Sequence, residues 1–286
     1  MKRTVLITGA SSGIGAATAH ALVKDGWQVY AGVRNVHDGQ RLREESPSVT
    51  PVLLDVTNRQ QIGDVFETIA SVEASLDALI SNAGIALGGP LEYLPIEELR
   101  HLFEVNLFGA LAVTQTFLPM LRQAPSPHLV FVGSISGRLP IPYIAPYSAS
   151  KFALRSMSEA LRVELAPTIS VSLIEPGNVK TPIWRKGREK GDSMRALIPQ
   201  DAPPHYHEAI EALLRQTEIE ERNGMPVERV TDAIRHALSP RARANYIVGT
   251  PARIGSILAM FPASIRDRLL HRASVKGYTS KTDARR

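Results

Sequence analysis

Short, almost wholly apolar runs alternate along this chain with longer stretches in which apolar residues return every three or four positions. Residues 5–7, 28–33, 50–54, 78–80, 129–132 and 170–174 have strand length and show little polar alternation, as strands buried on both faces do. Between them, Ile62, Val65, Phe66, Ile69 and Val72 fall on one helical stripe. Ile14, Ala17 and Ala21 make another, closed by Gly26 as a helix-ending glycine. The pattern predicts an α/β domain with a doubly wound parallel sheet and helices on both faces. A further strand is predicted late, at 246–248. Residues 180–228 are richer in charge and proline, include Pro203-Pro204, and contain a helix candidate around Ile210, Leu213 and Leu214. Such an excursion, leaving just beyond a strand's carboxyl end, is placed to cover a substrate; a surface loop without a role is the alternative.

Composition narrows the classes. With 286 residues, 44% hydrophobic and 21% charged, the chain reads as one globular domain over 1–286. The glycines and prolines have no period and no repeat is visible, which excludes collagen-like and solenoid readings. The lack of cysteine removes disulfides, thiolate metal sites and cysteine nucleophiles. The net charge of +5 is unevenly placed. Residues 241–286 hold ten Lys or Arg against two acids, leaving 23 bases and 26 acids in residues 1–240. This basic extension, about 250–286, carries few aromatics and gives no nucleic-acid signature. A solvated tail is its plain reading; residues 254–261 beside Arg266, Arg268 and Arg272 suit a membrane surface instead. No export segment is evident after Met1, and the apolar stretch 102–121 is broken by Glu104, Asn106, Thr114, Gln115 and Pro119, so the chain reads as cytoplasmic.

Immediately after the first strand comes TGASSGIG, with Gly9, Ser11, Ser12, Gly13, Ile14 and Gly15, leading into a helix. Such a turn lets the backbone approach a ligand, and the helix start offers unpaired N–H groups to a pyrophosphate. The spacing differs from the common G-x-G-x-x-G, and no Gly-Lys-Ser/Thr follows for an ATP loop. Where the second strand ends, Val33 is followed by Arg34, not by the acid that would bind ribose hydroxyls. An arginine there pairs with a 2′-phosphate, so NADP(H) is favoured and NAD(H) is the alternative. Arg3 and Ser11 are further candidates for that phosphate.

Tyr147 and Lys151 stand four apart in a helical stretch and therefore share a face. A tyrosine hydroxyl has a pKa of about 10, and a neighbouring ammonium favours the phenolate and brings it toward working range. Tyr147 is then the general acid/base, Lys151 its tuner and a ribose contact, and Ser134, at a strand end, the group that steadies a carbonyl or alcohol. His205 and His207 have no nearby acid, and no metal site is predicted.

Together, TGASSGIG, Leu53-Leu54-Asp55-Val56, Ser81-Asn82-Ala83-Gly84, Asn106, Ser134, YSASK (147–151) and EPGNVKTP (175–182) closely resemble the classical short-chain dehydrogenases/reductases, in the same order and spacing over roughly residues 4–182. The resemblance implies a Rossmann-type seven-stranded parallel sheet, an oxidoreductase activity of EC 1.1.1 type, and a homodimer or homotetramer. It implies a catalytic set of Asn106, Ser134, Tyr147 and Lys151, with Asn106 holding a proton-relay water behind Lys151. It also implies cofactor contacts from Asp55 and Val56 near the adenine, from Asn82, Ala83 and Gly84 along the adenosine and pyrophosphate, and from Pro176, Gly177, Val179 and Thr181 at the nicotinamide. Asp55 as a helix cap and Asn82 as a turn residue are compatible alternatives.

Leu87, Ile135, Leu139, Ile141, Tyr143 and Trp184 are expected near the reacting carbon, with Ser134 and Tyr147. That set is mostly apolar and favours a lipophilic ketone, aldehyde or secondary alcohol. PGNVKTPIW and the late Asn-Tyr-Ile-Val-Gly resemble the steroid- and retinol-dehydrogenase branch. A nucleotide-binding sensor without turnover is the rival from another class, and a sugar-nucleotide epimerase or dehydratase a third reading.

Overall fold

The structure, a computed structural model, describes residues 2–183 and 195–279. Seven parallel strands form one sheet in the order β3-β2-β1-β4-β5-β6-β7. They are β1 (Thr4–Ile7), β2 (Gln28–Val33), β3 (Val49–Leu53), β4 (Ala78–Ser81), β5 (His128–Val132), β6 (Ser170–Pro176) and β7 (Asn245–Val248). Each predicted strand is present; β3 starts one residue early, and β6 runs two residues further.

Alternation along the strands feeds two separate cores. Leu6, Leu79, Leu129, Phe131 and Leu173 point to one side, where they meet α3 (Arg59–Ala70), α5 (Ala110–Leu121) and α6 (Ala145–Glu164). Val5, Ile7, Ile80, Val130 and Ile174 point to the other, against α1 (Gly13–Lys24), α2 (Val36–Glu45) and α8 (Glu228–Ala237). Phe117 lies fully buried and meets Phe66 edge-on at 5.6 Å between ring centres; burying such an aromatic side chain contributes about 3 kcal/mol. Most of the predicted α3 stripe faces this core, but Val72 is 70% exposed because the helix ends at Ala70. The α1 stripe is also corrected: the buried face is Gly15, Thr18, Ala19 and Leu22, not Ile14, Ala17 and Ala21. Small residues let that face come closest to the sheet. The helix stops at Asp25, and Gly26 follows at φ 84°.

The apolar stretch 102–121 is not a straight helix. α4 (Ile96–Phe103) passes through a π-helical turn, Glu104–Gly109, before α5 begins. The continuous segment Ile96–Leu121 is long and apolar enough to cross a membrane, yet Val105, Val113, Phe117 and Leu121 are buried against the sheet. Beyond β6, the 180–228 excursion includes α7 (Pro204–Asn223). Ile198, Ala202 and Ile210 form a third small core with Tyr93, Tyr206, Leu213 and Leu214. After β7 come α9 (Thr250–Leu258) and α10 (Ala263–Thr279).

Candidate active site

Because all strands run parallel, their carboxyl ends share one edge, and the sheet order reverses between β1 and β4. A cavity of about 600 Å³ opens there, within the usual range for a small-molecule site. Ser11, Ser12, Gly13 and Ile14 line it after β1, with Asn82, Ala83 and Gly84 after β4. Ser134 lines it after β5, and Pro176, Gly177, Val179 and Thr181 after β6.

The turn at 8–15 is locked from below. Asn82 donates through its side-chain amide to the carbonyls of Thr8 and Gly9, both at 3.0 Å. The Thr8 hydroxyl accepts from the backbone N–H groups of Asn82 and Ala83, also at 3.0 Å. Gly9 has φ 66°, and a Cβ there would lie 2.7 Å from Ala83 Cα. Gly15 does not line the cavity. A Cβ on it would sit 2.4 Å from the Gly9 carbonyl oxygen, so its part is to let α1 touch the turn. Ser12 leads into α1 without capping it, leaving the first N–H groups of the helix free of a side-chain cap. This cradle of backbone and positive dipole end fits a pyrophosphate.

Beside this turn, just past the ends of β2 and β3, exposed Arg34 and half-buried Asp55 stand together on the cavity wall. Burial works to raise the Asp55 carboxyl, but bonds from the Thr57 backbone and hydroxyl and the charges of Arg34 and His101 outweigh it and hold the group below its ordinary value. Asp55 does not cap α3; Asn58 does, accepting from the Gln61 N–H. Arg3 is also corrected: its guanidinium lies over the Trp27 ring at 4.1 Å, away from the cavity. Arg41 is nearer, donating to the Ser11 carbonyl at 2.7 Å while pairing with Asp38 at 3.1 Å.

Ser134, Tyr147 and Lys151 meet on the cavity wall, as β5 and the first turns of α6 place them. The tyrosine is not tuned as expected from its neighbour. Burial pushes the Tyr147 hydroxyl up to about 12, and its hydrogen bond with Ser134 opposes this. The Lys151 ammonium stands 5.8 Å from the centre of the Tyr147 ring and donates to the Val132 carbonyl at 3.0 Å. Burial lowers Lys151 to about 8. In this arrangement desolvation, not the ammonium, sets the phenol.

Asn106 lies behind the wall, 1% exposed in the π-helical turn, and does not line the cavity. It accepts from the Ile85 N–H at 2.9 Å and donates to the Ile85 carbonyl and the Ser150 hydroxyl, both at 3.0 Å. Ser150 in turn donates to the Tyr147 carbonyl at 2.8 Å. A Cβ on Gly84 would lie 3.3 Å from Asn106 Oδ1 and 3.6 Å from Lys151 Nζ, so the two side chains flank one point.

Leu87, Ile135 and Ile141 line the apolar end. Leu139 and Tyr143 do not. Leu139 is buried beneath the turn after Ser134, facing Gly255, and Tyr143 turns away at φ 63° while its carbonyl accepts from Gly89 at 2.7 Å. Trp184 lies outside the described residues. Absent from the predicted set are Leu213, Leu214, Thr217 and Glu220, which α7 brings over the cavity. Burial raises Glu220, against hydrogen bonds with Gln216 and Asn178. Leu213 and Leu214 had a helical signal in sequence, but nothing local told which surface they would cover.

The family model described as short chain dehydrogenase matches residues 3–192. The chain belongs to the short-chain dehydrogenase family. This makes it an oxidoreductase of a family that binds NAD(P), acts on small substrates and is generally oligomeric. The dehydrogenase is 32% identical to the NADPH-dependent 3-dehydrocapnine reductase of Ornithobacterium rhinotracheale, over 96% of each chain. Among solved structures it resembles a short-chain dehydrogenase from Burkholderia cenocepacia in complex with NADP, with TM-score 0.71 and 30% identity over 94% of this chain and 98% of that one. A relative from Burkholderia phymatum in complex with NAD gives TM-score 0.73 and 26% identity over 90% and 92%.

Proposed function

We propose that this dehydrogenase moves a hydride between NADP(H) and a lipophilic ketone, aldehyde or secondary alcohol, with Tyr147 as general acid/base. The observation that carries the reading is the hydrogen-bonded Ser134 and Tyr147 beside Lys151 on the wall of a cavity whose farther lining is Leu87, Ile135, Ile141, Leu213 and Leu214. Such walls offer little to a carboxylate or phosphate and favour an apolar body with one polar oxygen.

The nicotinamide cofactor supplies or accepts the hydride when bound. The turn at 9–14 and the start of α1 would hold its pyrophosphate, Asp55 and Val56 would meet the adenine, and Pro176, Gly177, Val179 and Thr181 would border the nicotinamide. Arg34, with Arg41 close behind, supports a 2′-phosphate and therefore NADP(H), in keeping with a relative that is named NADPH-dependent. In reduction, Tyr147 gives its phenolic proton to the substrate oxygen while Ser134 holds that oxygen in place. Lys151 stabilises the phenolate left behind, an interaction that strengthens as the negative charge develops. Asn106 positions this pair through Ser150. The excursion serves as a lid: α7 covers the apolar end and is tied to the opposite rim by Tyr206, which donates to Glu92 at 2.6 Å and meets Tyr93 edge-on.

Following NADPH and NADH consumption at 340 nm against apolar ketones, aldehydes and steroids tests the reading. Turnover with NADPH that Tyr147→Phe lowers by roughly a hundredfold or more, with NADPH still bound by fluorescence, is the expected result. Tight NADPH binding with no turnover in either direction would return the chain to the sensor class.

A further inference from the structure

The C-terminal pair of helices leaves an apolar face uncovered. Ile254, Ile257, Met260, Phe261, Ile265 and Leu269 each expose between 42% and 76% of their surface, although they follow one another within sixteen residues. The opposite side of α9 is well used: Ala252 and Gly255 are buried, and a Cβ on Gly255 would come 2.9 Å from Ile135, a cavity-lining residue. α10 packs on α7, the helix over the cavity. The exposed face therefore backs directly onto the apolar end of the site. Exposed Arg253, Arg268 and Arg272 are interspersed with it, in a segment that carries ten bases against two acids.

We propose that α9 and α10 form a docking surface for an anionic lipid bilayer. Exposed apolar side chains interspersed with arginines bury shallowly in the headgroup layer while the guanidinium groups meet lipid phosphates. Charge selects this occupant over a second copy of the chain, because residues 250–279 hold five bases against one acid and two such faces would set four net positive charges against four. An uncharged apolar partner would leave the arginines without counter-charge. Docking is a property of this face alone and does not depend on the oxidoreductase reading. If both hold, the bilayer lies against the wall of the cavity that takes an apolar substrate.

The test is cosedimentation of the full-length protein, without substrate, with vesicles of phosphatidylcholine alone or with about one third phosphatidylglycerol. Binding at least about tenfold stronger to the anionic vesicles, weakening between about 0.1 M and 0.5 M salt, is expected. Arg268→Glu with Arg272→Glu lowers it by about tenfold or more, and Ile257→Asp with Phe261→Asp does the same, while circular dichroism shows both variants folded. Equal binding to the two vesicle types, binding to neither, or unchanged binding by folded variants overturns the proposal. So does a fall in oligomeric mass in Ile257→Asp with vesicle binding unaltered, which assigns the face to contacts between copies. If a variant fails to fold, the lipid comparison on the unaltered chain still decides.

Discussion

Arg138 holds Glu175 through two hydrogen bonds, Nε to Oε1 at 2.7 Å and Nη2 to Oε2 at 2.6 Å, with the carboxylate buried at the end of β6. The bonds raise the arginine's basicity above its ordinary value, against the cost of partial burial. The pair joins the turn that follows Ser134 to the strand end that precedes Pro176 and Gly177. It thus sets the distance between the catalytic wall and the nicotinamide border. Removing Arg138 takes both short bonds from a buried carboxylate and leaves it the more distant Arg155, at 4.0 Å. Arg138→Ala is expected to cost about 3–5 kcal/mol in urea unfolding, whereas Arg138→Met with Glu175→Leu costs less than the sum of the two single changes.

Lys151 and Tyr147 give the protein opposite responses to alkali. Lys151 is lowered to about 8, so between about pH 8 and its ordinary value of 10.5 the unfolded chain holds a proton that the native one has lost. Stability from this group rises with pH through that window, by about 1.4 kcal/mol per pH unit at most. Tyr147 is raised to about 12, so from its ordinary 10.0 upward the native state holds the extra proton and stability falls. Urea midpoints at several pH values check both: Lys151→Met is expected to flatten the rise above pH 8, and Tyr147→Phe to remove part of the fall above pH 10.

Arg34→Glu should weaken NADPH binding by about tenfold to a hundredfold while NADH changes little, because only the former carries a 2′-phosphate for a charge-assisted bond. Arg41→Ala should act in the same direction but less, since that side chain already bonds the Ser11 carbonyl and Asp38. Fluorescence titration of both nucleotides measures the split. Equal losses for NADPH and NADH would remove the phosphate role from Arg34.

Gly15→Ala is expected to be more harmful than an ordinary helix substitution, which would favour alanine. The new methyl group would meet the Gly9 carbonyl oxygen at 2.4 Å and the Asn82 amide at 2.6 Å, and would push α1 off the turn. Thermal unfolding should register a loss of about 1–3 kcal/mol, and NADPH affinity should fall at least tenfold.

Periodicity and local chemistry made much of this legible. The apolar strand runs required a sheet buried on both faces, and the glycine turn between β1 and α1 required a close backbone approach. Tyr147 and Lys151, four apart on one helix, had to share a face. These are short-range consequences of backbone geometry, and residue order alone contains them. Tertiary structure decided what depends on distant packing. It placed Leu213 and Leu214 over the cavity, and turned Leu139 and Tyr143 away from it. Arg3 it spent on Trp27, while Arg41 came to Ser11. It enclosed Tyr147 so tightly that desolvation raises its hydroxyl in spite of the bond with Ser134. A charge's environment depends on everything folded around it, and no spacing along the chain records how much water that folding removes.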